Sequence, residues 1–216
     1  MSKLKTRNPS LDIIRILAFC SVVGVHFFLN TSFYRTTIHL PVHFLMIIVR
    51  TACLVCVPLF MLLTGYLMNK KALSKKYYIG IIKTIGIYSL ASLACFVSKT
   101  IISGTRFDIL TFIINLFSFK AAKYSWYIEM YIGLFLLVPF LNLIYNNLTS
   151  QKQKKALIFT FIILTALPSI LNVYDLTTLV PFLSHIPSTG HNKIIPDWWT
   201  SLYPITYYYI GAYLKE

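Results

Sequence analysis

Three ionisable residues stand in stretches otherwise apolar enough for lipid: Arg15, His26 and Glu129. Arg15 and His26 interrupt the run LDIIRILAFCSVVGVHFFL, residues 11–29, which is long enough to cross a bilayer. On an α-helix their spacing is about three turns with an angular offset of about 20°, so both project from one face roughly 16 Å apart along the axis. A guanidinium suits phosphate, and an imidazole that is neutral near pH 7 can take a proton from a hydroxyl. Ionisable groups are costly in lipid, face a bundle interior or a wet cavity, and mark function by default. Glu129 lies in the run 125–145 and is read as the only carboxylate inside an apolar span beyond its first turn, so it needs a partner. Plainer accounts stand beside these. Asp12 can pair with Arg15 three residues on, and His26 can be a hydrogen-bonded packing residue.

The elements that must position these groups follow from composition. The 216 residues are 57% hydrophobic and 12% charged, too few polar groups to coat a soluble globule, so the chain reads as an all-α, polytopic integral membrane helix bundle. Asn8 or Ser10 can cap the first helix and Pro9 fits its first turn. A cleaved signal is excluded by the mid-segment Arg and by the lack of a small-x-small site. A second span over 42–68 carries Pro58 as a kink and Gly65 near its end. Arg50 either faces a cavity within that span or lies at the interface, with the span starting near residue 51. A third span runs over 77–97, with Lys83 within two turns of its start, where snorkelling is a sufficient account. The apolar stretch 107–119 is too short to cross and reads as an interfacial or re-entrant helix. Spans over 125–145 and 156–174 follow, the latter broken late by Pro168, and a sixth segment opens at Trp198 and Trp199 and ends at Leu214. The expectation is about six transmembrane helices and one short helix, in a single domain over residues 1–216.

Lys and Arg give a net charge of +14 but cluster between the apolar runs, and no stacking motif or zinc framework accompanies them, so nucleic acid is excluded as a partner. With the N-terminus cytoplasmic, eleven of these cations fall on the inside, in groups at 3–7, 70–76 and 152–155 and at Lys215. Six fall in the longer outer loops and three inside spans, the asymmetry expected for that orientation. Cys20, Cys53, Cys56 and Cys95 all lie in apolar runs, and the Cys53-x-x-Cys56 pair has no second pair or nearby histidines, which favours packing. His39 and His43 flank Pro41, which disfavours one continuous helix and hence a two-histidine metal site. His185 and His191 read as loop histidines.

Four stretches carry a resemblance. SLDIIRILAFCSVVGVHF resembles the opening helix of the membrane-bound acyltransferase 3 family, with its Arg, ten intervening residues and His at Arg15 and His26. VPLFMLLTGYLM, 57–68, resembles the ending of the family's second helix, and SWYIEMYIGLFLLVPFL, 125–141, its Trp-Tyr helix. YYYIGAYLKE, 207–216, resembles a later helix ending in Gly and an aromatic. The match covers nearly all of this chain but only part of the family domain, so the chain is expected to be C-terminally incomplete and to rely on a partner chain or homo-oligomer for the missing wall.

The resemblance implies transfer of an acyl group, usually acetyl, from acetyl-CoA on the cytoplasmic side to a hydroxyl of an extracytoplasmic or lipid-linked glycan, without a metal. His26 is then the general base; Glu129, read from its place in an apolar span as a carboxylate that needs a donor, is a candidate to orient or charge-stabilise it. Arg15 is placed on the CoA phosphates. The family's paired arginines early in the third helix are not reproduced: Gly80 stands at the first and Lys83 at the second, with Lys75 and Lys76 as further point charges for phosphate. The competing readings are a transporter or flippase lined by Arg15, Arg50 and Glu129, and an inactive remnant.

Overall fold

The computed structural model describes residues 8–37, 41–104, 106, 108–171 and 196–216, and every regular element among them is helical. His39, His185 and His191 lie outside the described residues. Five helical stretches are long and apolar enough to cross a membrane: Pro9–Asn30, Pro41–Met68, Lys75–Ser103, Trp126–Asn147 and Gln151–Leu171. Their outward faces carry many exposed Ile, Leu and Phe side chains, as lipid contact requires.

Contacts divide the chain into two units, residues 1–68 with 152–216, and residues 69–151. In the first unit, α1 (Pro9–Asn30) starts as expected: Asn8 caps it through a bond from the Ser10 amide, 3.1 Å, and Pro9 occupies a position where its missing N–H costs nothing. A 3₁₀ turn, Ser32–Arg35, leads to α2 (Pro41–Cys53). The second span is not one kinked helix. It breaks at Leu54 and Val55, and α3 (Cys56–Met68) restarts beyond them. Pro58 accounts for the break, because its ring clashes with the carbonyl four residues back, at Leu54. The Cys53 thiol fills the space beside Gly24 of α1, where a Cβ would lie 2.6 Å from its Sγ, in keeping with a packing role.

The helix α7 (Gln151–Leu171) passes through Pro168 without ending there. A 3₁₀ segment, Asp197–Leu202, then precedes the last helix, α8 (Tyr203–Leu214). The tightest packing of this unit is α3 on α8, where Gly65 and Gly211 let the two backbones touch. Thr165 and Thr206 hydrogen-bond between α7 and α8 at 3.0 Å, and Lys154 pairs with the Glu216 carboxylate at 2.6 Å.

The second unit holds α4 (Lys75–Ser103), α5 (Ile109–Phe117) and α6 (Trp126–Asn147). Ser74 caps α4 by accepting from the Tyr77 amide, and Gly104 ends it in the left-handed region at φ 63°, so the third span runs past the expected end at Val97. Nine residues make α5 too short to cross, as expected, and Asp108 caps it. Pro139 inside α6 cannot donate to the Phe135 carbonyl, and the Tyr77 hydroxyl of α4 donates there instead, at 2.6 Å. The Tyr77 and Phe135 rings stack 4.3 Å apart. Asn142 and Asn146 of α6 donate to the carbonyls of Lys71 and Asn69, tying down the connection that precedes α4.

Candidate functional site

Arg15 and His26 both lie within the unbroken helix α1, so the shared stripe expected from their spacing exists. The Arg15 side chain is 46% exposed and pairs through Nη1 with Asp12 at 2.6 Å. No other Arg15 nitrogen bonds to a described residue. His26 is half-buried, and its backbone carbonyl accepts from the Asn30 side chain at 2.7 Å. The stripe runs along the boundary of the packed face of α1. Ala18, about 80° to one side of His26, is fully buried, whereas Phe19 and Val23, about 20° and 60° to the other, are exposed.

A cavity of about 430 Å³ opens beside the C-terminal third of the same helix. Phe27 and Phe28 of α1, Phe33 and Tyr34 of the 3₁₀ turn, and His43 and Met46 of α2 wall it, with the hydroxyl-bearing Thr31, Ser32 and Thr36 among them. Phe27, Thr31 and Phe28 point about 100°, 140° and 200° around α1 from His26, so this cavity and the Arg15–His26 stripe occupy different faces. Arg50, in the last turn of α2, donates from Nε to the Tyr34 hydroxyl at 2.9 Å, and its guanidinium carbon lies 5.5 Å from the centre of that ring. Sequence reasoning left Arg50 unassigned and did not find this cavity. Its signal was the aromatic pair Phe33–Tyr34 in a short polar connection.

In the second unit, Lys75 and Lys76 are the first residues of α4, and Lys83 lies two turns on, all three exposed. Lys76 and Lys83 share one face, with Lys75 about 100° around from Lys76. Glu129 is exposed and falls in the first turn of α6, which corrects its placement as a carboxylate deeper in a span. The reason is that α6 begins at Trp126. In a first turn the free amides and the helix dipole favour a carboxylate without any ion pair, and Glu129 makes none with a described residue. Among the described residues, no group of three or more His, Cys, Asp or Glu is placed to hold a metal ion.

Among known families, the acyltransferase 3 model, an acyltransferase domain, matches residues 8–216. No curated protein and no solved structure matches the chain.

Proposed function

Since the chain belongs to the acyltransferase 3 family and is therefore a membrane acyltransferase, we propose that it transfers an acetyl group from acetyl-CoA, bound on the cytoplasmic side, to a hydroxyl of a glycan on the other side. The observation that supports this most is the pairing of Arg15 and His26 on one face of the continuous helix α1. Three turns of helix, about 16 Å, separate a phosphate-binding cation from a proton acceptor, a distance comparable to an extended pantetheine arm.

In this reading His26 accepts the proton of the acceptor hydroxyl as its oxygen attacks the thioester carbonyl carbon. The carbon–sulfur bond breaks as the new ester forms, and the CoA thiolate takes up the proton that the imidazolium returns. Arg15 keeps guanidinium N–H groups beyond its bond to Asp12 for the CoA phosphates, and Lys75, Lys76 and Lys83 of the second unit are separate cations suited to phosphate. The N-terminus is cytoplasmic, on the asymmetry of the cationic segments. Its partners are the bilayer, the acyl-CoA and the glycan.

Transfer of label from [acetyl-14C]-CoA to membrane glycan tests this. Label in glycan, lost in His26→Ala, is the expected result. Uptake or export of a solute with no label transferred would favour the transporter reading, in which Arg15 and Arg50 line a path without chemistry.

A further inference from the structure

We propose that the cavity between the Ser32–Arg35 turn and α2 binds a sugar unit that carries an oxyanion, with the sugar against the aromatic walls and the charge on Arg50. The assignment rests on the proposed transfer to a glycan hydroxyl and goes beyond it by naming a second subsite and the charge of its occupant. At about 430 Å³ the cavity lies within the ~300–1,000 Å³ of small-molecule sites.

Its walls combine the rings of Phe27, Phe28, Phe33 and Tyr34 with the hydroxyls of Ser32 and Thr36 and the imidazole of His43. Flat apolar faces edged by hydrogen-bonding groups match a pyranose, whose C–H faces are apolar and whose rim is hydroxylated.

The charge follows from Arg50. It is half-buried in an apolar segment, its Nε bonds to Tyr34, and its two terminal nitrogens have no hydrogen-bond partner among the described residues. No carboxylate lines the cavity or pairs with Arg50 among the described residues. A guanidinium held by one neutral hydroxyl retains a planar pair of donors suited to bidentate contact with a carboxylate or phosphate. Arg50 does not itself line the cavity; Tyr34, which does and accepts from Arg50, connects the two. Because Phe27 and Phe28 follow His26 directly but face another way, the occupant is a neighbouring unit of the glycan and not the one that is acylated.

The test is binding of glucuronate, glucose 6-phosphate and neutral glucose to the purified chain in phosphatidylcholine nanodiscs, followed by saturation-transfer NMR without acetyl-CoA. At least one of the two anionic sugars should bind tenfold or more tightly than glucose, and which one does separates carboxylate from phosphate recognition. Arg50→Gln should remove that preference, Arg50→Lys should keep part of it, and Ser32→Trp, which fills the cavity from an exposed turn, should weaken all three sugars. Equal binding of glucose and both anions, or an undiminished preference in Arg50→Gln, would overturn the proposal. So would loss of sugar binding in nanodiscs containing phosphatidylglycerol, which would assign Arg50 to a lipid headgroup. Anionic-sugar binding by protein that transfers no acetyl group would uphold this site while removing the transfer reading alone.

Discussion

Gly65 on α3 and Gly211 on α8 stand backbone to backbone. A Cβ on Gly65 would lie 2.0 Å from the Tyr208 carbonyl oxygen, and one on Gly211 would lie 2.0 Å from that of Leu62. Small residues at such crossings let helices in a membrane gain close van der Waals contact where no hydrophobic force separates them from lipid. The obstructing atoms are backbone, so no rotamer change relieves the clash. Gly65→Ala and Gly211→Ala should each cost the upper end of the ~1–3 kcal/mol of ordinary overpacking or more. Thermal unfolding in detergent would show it, and Gly86→Ala, at a glycine with nothing within 4 Å of its Cβ position, is the control expected to change little.

The bond from Tyr77 to the Phe135 carbonyl should be energetically tied to Pro139. Tyr77→Phe leaves a buried carbonyl without a partner, at a cost of about 1–3 kcal/mol. Pro139→Ala restores an N–H to that carbonyl, so Tyr77→Phe should cost clearly less in the Pro139→Ala background. A double-mutant cycle on unfolding free energy measures this coupling, and strict additivity would refute it.

Local rules made much of this fold legible, and long-range partners were what they missed. Asn8, Pro9, Asp12 and Arg15 act within one or two turns, so their roles could be read directly from sequence. The glycines of the 57–68 and 207–216 stretches could be picked out as motif residues, but only the packing shows that they meet each other. Tyr77 satisfies a carbonyl 58 positions away, a debt created by Pro139 inside α6, and no local rule pairs the two. Arg50 was ambiguous for the same reason, since its partner Tyr34 lies 16 residues back across a turn. Glu129 was misjudged because a single residue at the start of α6 decides whether a carboxylate is a dipole partner or an intramembrane charge.

The cap of α5 should fail in acid. Asp108 accepts a bond from the Thr111 hydroxyl and bonds from the amides of Thr111, at 3.0 Å, and Leu110, at 3.3 Å, which together hold its carboxyl below the usual range. A carboxyl that titrates lower in the folded than in the unfolded chain stabilises the fold above its unfolded value, about 3.9, and that contribution is lost as pH falls through the folded value. Hydrogen exchange at the Leu110 and Thr111 amides should therefore accelerate below pH 4 relative to Asp108→Asn, which keeps a neutral cap. Asp108→Ala should exchange fast at every pH, and an identical pH profile for the wild type and Asp108→Asn would count against the cap.

The two ends of the α1 stripe should fail differently when mutated. If His26 takes the acceptor proton, His26→Ala should lower acetyl transfer by at least the ~10²-fold of a lost general base while acetyl-CoA affinity stays near that of the wild type. If Arg15 meets the CoA phosphates, Arg15→Ala should raise the KM for acetyl-CoA with a smaller change in kcat, and Arg15→Lys should recover part of the loss, because an ammonium cannot make bidentate contact. Asp12 separates this from the plainer account of Arg15 as half of a surface ion pair. Asp12→Asn breaks the pair but leaves the guanidinium, so it should leave the KM for acetyl-CoA unchanged or lower it by freeing Nη1. A KM rise in Asp12→Asn equal to that in Arg15→Ala would mean that the ion pair, and not phosphate contact, is what Arg15 provides.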